Sequence, residues 1–593
     1  MRAGLAGWLR FAALGALIAA WGCGPEFMAG AGGAGGSGGP NTGGGGPSTG
    51  GSGPSTGGGG PGGSGGGSCA GQDADGDGHD RCTDCDDNNP QVNPGSAEIC
   101  GDALDNDCDS TLDPEDFCKG LGTFVTDSGD DANPGTTALP VRTIARAVEI
   151  AGEIGAGTHV YVAEGNYPED VVLTEGVSLL GGYAPDFVAR DPRVHDTNIQ
   201  CQTYACVRAG NTITRATEMD GFIIQGRAGQ PATPPGSVAV QLNGGAPTLR
   251  HNKILAGQVN GTVNNAKNSV AVQILGPAEE GGPLLESNEI TGGPATEISI
   301  AVVIETQGVA EIRQNRIRSG AGTQSYAVYD KGSAATTRLV GNDIQTGSAS
   351  STNAFAVRTH GQIEIEGNRI NADTTAPPTC VNTVLWCGGI GSYSSKAAIT
   401  NNIVFGVSSD NSTAMYLGEV DMAAQQVQVH SNYLHAGGKA TPGAAAKSAA
   451  IVLHSPYAGQ PNAQLGYIRN NILVGGSNTT RYGVYEESTS NQTSSPSAFT
   501  HNIFFFPAPA APTDTLYRDW AMNVGTNWTM LSQIPPGYSN NLTGDPRIDV
   551  SFHLMSGSPC IDAGSSESAP VTDFEGDSRP QGSAHDIGPD EAR

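Results

Sequence analysis

The chain has 593 residues, of which 87 are Gly and only 15% are charged, and its formal net charge is −29. This length allows several domains. The excess of acid excludes a nucleic-acid partner, because nucleic-acid binding needs clustered Lys and Arg to displace counterions. The same charge favours bound cations or simply a soluble surface.

The N-terminus is predicted to be an export signal. Arg2 and Arg10 flank the apolar run FAALGALIAAW (residues 11–21), which is too short to span a bilayer as a mature helix. The sequence AAWGC that follows resembles the lipobox of bacterial lipoproteins. That resemblance implies cleavage after Gly22 and lipidation of Cys23, whereas the alternative is ordinary signal cleavage with an incidental Cys. Either route exports the chain, so disulfides are permitted.

Residues 24–68 are predicted to be a disordered tether. Of these 45 residues 24 are Gly, and most of the others are Ser, Pro, Thr and Ala, so the segment cannot bury a core. As a flexible coil it would reach about 35–40 Å, taking roughly 5–6 Å × √n. A lipid anchor followed by a long spacer indicates a protein held at the bacterial outer membrane or cell surface, in contact with the membrane only through that anchor.

Residues 69–118 are predicted to form a small module that disulfides and metal stabilise. The segment holds 15 Asp or Glu, one Arg and six Cys, so it lacks the apolar surface for a core. Six Cys allow 15 pairings into three disulfides. Two more Cys pairs, close in sequence, are candidates for local disulfides in the next domain. The candidate cysteines are Cys69, Cys82, Cys85, Cys100, Cys108 and Cys118 in the module, then Cys201, Cys206, Cys380 and Cys387.

The carboxylates of this module have the spacing of calcium loops. DADGDGHDRCTD (73–84) has carboxylates at loop positions 1, 3, 5 and 12 and Gly at position 6, and position 7 would offer a backbone carbonyl. DNDCDSTLDPED (105–116) is a second candidate, although Ser110 replaces the usual Gly. Calcium prefers the oxygen ligands that both loops supply. The candidate ligands are Asp73, Asp75, Asp77, His79 and Asp84 in the first loop, and Asp105, Asp107, Asp109, Asp113 and Asp116 in the second.

The run from Asp73 to Pro114 resembles the metal-binding motif of MopE-like bacterial surface proteins. The matching features are D-x-D-G-D-G, C-D-D, N-P-G-x-x-E-x-C and N-D-C-D. The family name suggests copper in at least one member, but these residues favour calcium. Zinc bound by Cys82 and Cys85, which form a C-x-x-C pair, is a less favoured alternative. An acidic linker without metal is another.

The large domain is predicted to begin with a capping helix. Thr143 can cap it and Gly155 can end it, and short strands follow at 159–163, 170–173 and 177–180. The apolar face at helical spacing consists of Ile144, Ala147, Val148, Ala151 and Ile154.

The segments SGDDANPGT, TIARAVEIA, VYVAEGNY and GVSLLGGY of this region resemble a family of unknown function that begins right-handed parallel β-helices, and the opening coils of some pectate-lyase-like proteins. The resemblance implies a helix that caps the open end of a β solenoid. Asp130 and Asp131 are expected to be structural residues of a turn rather than catalytic residues.

A repeat predicts that the following residues form a parallel β-helix. The motif apolar-x-x-Asn-x-apolar recurs at intervals of 26 to 39 residues and alternates with short β-like runs such as SVAVQL at 237–242, which predicts two strands per coil of roughly 30 residues. Period-two alternation excludes helical repeats, and the variable spacing disfavours a propeller. Because coils stack at about 4.8 Å, the Asn side chains should form a column in which each bonds to the next. The motif Asn are Asn252, Asn288, Asn315, Asn342, Asn368, Asn402, Asn432, Asn471, Asn502 and Asn541.

The residue after each motif Asn is expected to point outward, and its character changes along the chain. It is charged in the first half and apolar in the second, so from about residue 400 this face should be covered by long loops, by the C-terminal tail or by a partner. The charged set is Lys253, Glu289, Arg316, Asp343 and Arg369, and the apolar set is Ile403, Tyr433, Ile472, Ile503 and Leu542.

The tail resembles the last coil of many exported bacterial β-helix proteins, on the motifs S-P-C-I-D-A-G, D-x-x-G-x-x-R and D-I-G-x-x-E. Asp573, Arg579 and Asp586 are expected to lock this cap by ion pairs. Cys560, the cysteine left over, is expected to be a buried, inert thiol.

The predicted fold is all-β, a right-handed parallel β-helix with an N-terminal helical cap, preceded by a small disulfide-rich calcium-loop module and a Gly-rich linker. The expected segments are 1–22 (signal), 23–68 (anchor and linker), 69–118 (metal module), 119–183 (cap and first coils), 184–545 (β-helix repeats) and 546–593 (C-terminal cap).

Fold alone does not decide whether the β-helix is an enzyme. Few Asp occur within 240–545, and the outward candidates are better explained as solvated residues, so no catalytic residue is assigned. We expect a non-enzymatic, surface-displayed scaffold that binds polysaccharide or another surface protein. The alternative is a polysaccharide lyase or epimerase, which a Lys or Arg within about 5 Å of two carboxylates in a groove would favour. The outward candidates are Lys253, Arg316, Asp343, Arg369 and His360.

Overall fold

The computed structural model divides the chain into two units, Met1–Ser68 and Cys69–Arg593. It describes residues 74–75, 79, 83–90, 92–94, 96, 104–109 and 122–592, the last range with gaps at 155–156, 229–235, 260–266, 277–281, 306, 333–334, 351–352, 374, 376, 382–384, 395, 419–425, 455–462, 488–493, 508–513 and 522–523. The predicted signal, tether and lipidation site Cys23 therefore lie outside the described residues. In the part that is described, no helix has both the length and the hydropathy that a membrane span requires.

Residues 122–545 form a parallel β-helix whose coils each contribute one strand to each of three sheets, which we name A, B and C. Each sheet has 13 strands within the described ranges, and neighbouring strands come from successive coils. The pairing is parallel at every step except the last one in sheet C. The fold prediction is confirmed, but the prediction of two strands per coil is wrong.

Sheet A contains β1 (Gly122–Val125), β2 (Thr158–Ala163), β5 (Val177–Tyr183), β8 (Glu218–Asp220), β11 (Thr248–Arg250), β14 (Leu284–Glu286), β17 (Glu311–Arg313), β20 (Thr337–Val340), β23 (Ile363–Glu366), β26 (Lys396–Thr400), β29 (Gln426–His430), β32 (Ala463–Arg469) and β35 (Ser494–Thr500). Sheet B contains β3 (Gly165–Tyr167), β6 (Thr197–Gln200), β9 (Ile223–Gln225), β12 (Lys253–Leu255), β15 (Glu289–Thr291), β18 (Arg316–Arg318), β21 (Asp343–Gln345), β24 (Arg369–Ile370), β27 (Ile403–Phe405), β30 (Tyr433–His435), β33 (Ile472–Val474), β36 (Ile503–Phe505) and β39 (Leu542–Thr543). Sheet C contains β4 (Val171–Val172), β7 (Ala205–Ala209), β10 (Gly236–Asn243), β13 (Asn268–Leu275), β16 (Ile298–Ile304), β19 (Gln324–Asp330), β22 (Ala354–Thr359), β25 (Cys387–Ser392), β28 (Asn411–Leu417), β31 (Lys447–His454), β34 (Thr480–Glu487), β37 (Thr515–Ala521) and β38 (Val524–Trp528).

The Asn motif covers two strands because the chain bends inside it. In the coil at 248–255, β11 ends at Arg250, His251 adopts a left-handed backbone with φ of 47°, and β12 begins at Lys253. A left-handed residue recurs at this position in coil after coil, and we call this set the corner column. Its members are Gly221, His251, Ser287, Gln314, Gly341, Gly367, Asn401, Ser431, Asn470, His501 and Asn540.

The ten motif Asn form one continuous ladder, as predicted. The backbone N–H of each of the first nine donates to Oδ1 of the Asn in the next coil at 2.8–3.0 Å. Each Nδ2 also donates, at 2.7–3.1 Å, to a sheet-A carbonyl of the preceding coil. The ladder thereby satisfies buried backbone groups at the bend, where strand pairing is interrupted.

The helix α1 (Ile144–Ile154) packs its apolar face on the core of the first coils. Thr143 Oγ1 accepts a hydrogen bond from Arg146 N at 3.2 Å, and the carboxylate of Glu169 accepts from the first two helical N–H groups, both at 2.9 Å. Four of the five predicted face residues are buried, but Ile154 in the last turn is 58% exposed. Asp131 accepts three hydrogen bonds from residues 142 and 143, which supports the structural role predicted for it.

The other end of the core is closed by the segment that follows β36, not by the tail. The strands β37 and β38 form an antiparallel hairpin, and a short 3-10 helix, Leu531–Gln533, follows. Trp528, Leu531, Ile534 and Tyr538 pack against the core there. These residues provide the cap that the sequence assigned to 546–593.

The tail, residues 546–592, instead lies along the second half of sheet B. Leu554, Cys560 and Ile587 form one apolar cluster with sheet-B residues of that half. Asn470 exchanges two side-chain hydrogen bonds with Ser565, at 2.8 and 2.9 Å. The predicted cover over this face is confirmed, and the tail is that cover. The apolar sheet-B residues in the cluster are Ile403, Tyr433, Ile472, Val474 and Ile503.

The tail is locked by one ion pair rather than by the set that the sequence suggested. Arg579 Nη1 lies 3.0 Å from Glu591 Oε2, and both side chains are fully buried. Asp573 and Asp586 accept backbone N–H groups instead, because the nearby turns of the tail leave those donors without strand partners. Cys560 is a buried free thiol, as predicted.

Candidate functional site

The described part of the acidic module brings three predicted ligands together. Carboxylate oxygens of Asp105, Asp107 and Asp109 lie within 4.8 Å of one another. Asp109 N donates to Asp105 Oδ1 at 2.9 Å and to Asp107 Oδ1 at 3.1 Å, so the chain wraps around the three carboxylates. This arrangement of oxygen ligands can hold a hard divalent cation.

Asp84 adds a second observation at this module. The residue is only 8% exposed, and its Oδ2 has no hydrogen-bond partner within the described residues, whereas Oδ1 accepts from Asp86 N at 2.8 Å. A buried carboxylate oxygen without a partner is costly, so it fits a bound cation. Asp75 and His79 are half-buried. The other predicted ligands Asp73, Asp77, Asp113 and Asp116 lie outside the described residues.

Three of the candidate cysteine pairs form disulfides. Cys85 bonds to Cys108 with a Cα–Cα distance of 5.8 Å, and the two local pairs also close. Because Cys85 is oxidised, it cannot supply the thiolate that the zinc alternative requires. Cys69, Cys82, Cys100 and Cys118 lie outside the described residues. The local pairs are Cys201–Cys206 and Cys380–Cys387.

A row of aromatic and imidazole rings crosses five consecutive strands of sheet C, from β19 to β31. Successive ring centroids are separated by 6.2, 4.8, 5.5 and 5.7 Å. Most of these rings are half-exposed or exposed, and they belong to or border an apolar cluster separate from the core. We call this set the ring row, and its members in order are Tyr329, His360, Tyr393, Tyr416 and His454.

Arg358 lies in the middle of the ring row. Its guanidinium carbon is 5.1 Å from the ring centroid of Tyr393 and 5.4 Å from those of Tyr326 and Tyr329. Nη1 donates to the hydroxyl of Tyr326 at 2.8 Å, while Nε is buried and has no hydrogen-bond partner among the residues that the structure describes. Burial raises the pKa of Tyr326, so this hydroxyl stays protonated at neutral pH. The site therefore combines apolar ring faces with a half-buried guanidinium group.

Side-chain amides extend this surface toward earlier coils. Tyr204 donates to Gln241 at 2.7 Å, Gln241 donates to Gln273 at 3.0 Å, and Glu305 pairs with Lys331 at 2.9 Å. Sequence reasoning identified only His360 of the whole site. The signal that could have found part of the rest is register. Aligning the sheet-C strands places at one position, interrupted by Val303, Gly391 and Val452, the residues Gln241, Gln273, Tyr329, Arg358, Tyr416, Tyr485 and Arg518.

The distance criterion stated for a lyase is met on sheet A, by a row of alternating ion pairs. Arg250 lies 2.8 Å from Glu286 and 3.4 Å from Glu218. Glu286 also pairs with Arg313, and Arg338 pairs with Glu364 at 3.0 Å further along sheet A. Carboxylates and guanidinium groups thus alternate from coil to coil, which stabilises strand pairing and leaves the arginines engaged.

The predicted outward residues of sheet B behave as a solvated strip. Lys253, Arg316 and Arg369 are exposed, and Asp343 is half-exposed with an Arg318 ion pair at 3.0 Å. Within the described ranges, these four residues form no cluster of catalytic type with one another.

Comparison with known proteins finds one sequence motif in this chain and several weak structural similarities. The family model described as "Putative metal-binding motif", named for copper-binding MopE, matches residues 84–114. This span includes Asp84, Asp105, Asp107, Asp109 and Asp113 but begins after most of the first loop. No curated protein matches the chain.

Three solved structures show weak similarity to this chain in their backbone fold. Pectate lyase Pel9A has 11% identity and a TM-score of 0.37, and the match covers 80% of this chain and 96% of that one. XylC in complex with xylose has 12% identity and a TM-score of 0.38, over 79% and 98%. The GH136 lacto-N-biosidase from Eubacterium ramulus has 10% identity and a TM-score of 0.22, over 68% and 67%. At these scores the similarities say nothing about activity. Residues 84–114 carry a MopE-type metal-binding motif, and residues 122–545 form a right-handed parallel β-helix.

Proposed function

We propose that the chain is an exported lipoprotein that displays a β-helix at the bacterial surface and binds polysaccharide along the ring row of sheet C. The observation that carries the proposal is the row itself. Sugar rings present apolar C–H faces that pack on aromatic rings, and their hydroxyls hydrogen-bond to nearby polar groups. The guanidinium group of Arg358 lies among the rings, and the amides of Gln241 and Gln273 lie on earlier coils of the same sheet.

The length of the row favours a polymer. It spans five coils, and four steps of about 4.8 Å give roughly 19 Å. A row of this length with repeating contacts suits an extended chain with a repeating unit better than a compact small molecule. The contacts are stacking and hydrogen bonding, so the function we propose for this face is binding rather than turnover.

Calcium is the metal that we propose for the acidic module. The three clustered carboxylates and the partnerless oxygen of Asp84 are hard oxygen ligands. The softer sulfur ligands that zinc or copper(I) prefers are engaged at Cys85 and Cys108 in a disulfide. A bound cation would offset repulsion among the acids, so it would stabilise a module that has little apolar surface. The lipobox resemblance and the Gly-rich tether support display at the outer membrane or cell surface.

The binding proposal is tested with the purified chain and a panel of neutral and uronic-acid polysaccharides, by calorimetry and by analysis of the polymer. We expect at least one polymer to bind, and Tyr393→Ala or Arg358→Ala to weaken binding about tenfold or more. Arg316→Ala on sheet B is the matched control and should bind normally. Absence of binding across the panel contradicts the proposal, and unsaturated products would support the lyase alternative.

The calcium proposal has its own test. Calcium at about 100 times its dissociation constant should add ~2.7 kcal/mol to the stability of the module. Asp107→Asn should reduce this gain, while Asp343→Asn on sheet B should not. Equal stability in calcium and in chelator contradicts the proposal.

A further inference from the structure

A cavity of about 770 Å³ lies beside the corner column in the first coils of the β-helix. The segment between β5 and β6 forms one wall through Arg190 and Arg193, and the corners of three successive coils form the other. His251, Lys253 and Ser287 face this cavity. It is on the sheet A–sheet B corner, away from the ring row of sheet C.

His251 is held in a fixed orientation by a buried carboxylate. Its Nδ1 lies 2.8 Å from Oδ2 of Asp220, which is only 6% exposed, while the imidazole itself is 58% exposed. Arg190 donates to the other oxygen of Asp220 and to Gly181 O, so the carboxylate is itself fixed. The bond to Asp220 raises the pKa of His251, and Nε2 makes no hydrogen bond to any residue that the structure describes.

Ser287 occupies the same corner position as His251, one coil further along. Arg250 pairs in register with Asp220 on one side and with Glu286 on the other, so Asp220, His251 and Ser287 come from three successive coils in that order. Ser287 lies one coil, about 4.8 Å, beyond His251 on the side away from Asp220, and both residues line the cavity. Within the described residues this hydroxyl has no hydrogen-bond partner, whereas the backbone N–H of Ser287 donates to Arg313 O.

We propose that Ser287, His251 and Asp220 form an acyl-transfer site that hydrolyses carboxylic esters, a function beyond the polysaccharide binding proposed for sheet C. Ser287 Oγ attacks the ester carbonyl while His251 Nε2 takes its proton. The ester C–O bond breaks, and the alcohol leaves with that proton. Water then attacks the acyl-serine, His251 takes its proton and returns it to Oγ, and the free acid leaves. Asp220 is a positioning residue that stabilises the imidazolium.

Lys253 supplies a positive charge at the cavity. Its side chain lines the cavity and makes no ion pair with any described carboxylate, so its ammonium is available to stabilise the oxyanion that forms on the carbonyl oxygen. The cavity is open along the outside of the coils, so an ester carried on a larger molecule can reach it. The substrate class is an O-acyl group on an alcohol.

The test uses a fluorophosphonate, which phosphonylates activated serines, on the folded chain, with the labelled residue identified by mass spectrometry. We expect one adduct on Ser287, and turnover of an activated ester such as 4-nitrophenyl acetate. Ser287→Gly should abolish both without unfolding the corner, because Gly221 and Gly341 already occupy the same backbone position. His251→Gln should slow labelling about 10²-fold or more, and Gln314 shows that Gln fits at this corner.

Gln314→Gly, one coil further along, is the matched control and should label like the parent chain. Asp220→Asn should move the midpoint of the labelling pH profile to lower pH, a change that a purely structural role would not produce. Absence of an adduct on Ser287 in the folded parent chain would overturn the proposal. So would unchanged labelling in His251→Gln, or an equal loss in Gln314→Gly.

Discussion

Replacing one asparagine in the middle of the ladder tests the physical basis of the fold. Asn315 is 1% exposed, its Oδ1 accepts from Asn288 N at 2.8 Å, and its Nδ2 donates to Leu285 O at 2.7 Å. In Asn315→Ala both groups lose this partner in a buried corner. At about 1–3 kcal/mol for each unsatisfied group, the free energy of unfolding should fall by roughly 2–6 kcal/mol. The backbone N–H of residue 315 still reaches Asn342, so the damage is confined to one coil.

The measurement is guanidinium unfolding followed by circular dichroism, with the slope m compared between variants. The control is Arg316→Ala at the next residue, whose side chain is 58% exposed and lies 3.8 Å from Asp343. An exposed pair of this kind is worth less than about 0.5 kcal/mol, so the control should unfold like the parent chain. If Asn315→Ala is as stable as Arg316→Ala, the ladder does not stabilise the corner and the reasoning fails.

Three further predictions concern the C-terminal half of the described chain. Arg579→Met leaves the carboxylate of Glu591 buried and unpaired, and should cost about 3–5 kcal/mol of unfolding free energy in denaturant titrations. Deleting residues 546–593 uncovers the apolar face of sheet B, so the shortened chain should bind a hydrophobic dye and self-associate in size-exclusion chromatography; a monomer that ignores the dye would contradict this. Burial raises the pKa of Glu486 to about 7 from an ordinary 4.5, so its contribution to stability is complete below pH 4.5 and is lost as pH rises through about 7. Glu486→Gln should flatten the melting temperature over that range, and an unchanged pH profile would show that another group is responsible.

The repeat was readable from the sequence because one residue type serves one geometric function in every coil. The spacing from Leu249 to Asn252 to Ile254 places two apolar side chains in the core on either side of the Asn, and both are fully buried. The residues after the motif Asn change from charged to apolar, which also predicts that another segment covers this face. An exposed apolar strip of that length is unfavourable in water. These inferences needed only periodicity and burial.

The third strand and the ring row depend on information that periodicity does not contain. The bend at His251 is a single left-handed residue, and at this corner Gly, His, Ser, Gln and Asn all occur, so no residue type marks it. The ring row depends on register between strands that are about 30 residues apart. Loop lengths vary between those strands, so Tyr329 and Arg358 become neighbours only after the coils are stacked. Likewise Arg579 pairs with Glu591 rather than with Asp586, which is nearer in the sequence. The turns of the tail determine which carboxylate reaches the guanidinium group.

The corner column explains why the two halves of the β-helix differ on sheet B. In the second half Asn401 and Asn470 occupy it, and their Nδ2 groups donate to Thr572 O and Ser565 O of the tail at 2.8 and 2.9 Å. The same coils carry an apolar residue directly after each ladder Asn. The corner amides therefore hold the tail by hydrogen bonds, and the apolar sheet-B residues beside them pack against it. In the first half His251 takes the same corner position, the strip is charged, and the corner faces a cavity instead of a covering segment. One column of left-handed residues therefore has two uses: its amides hold the tail where the face is apolar, and its imidazole lines a cavity where the face is charged.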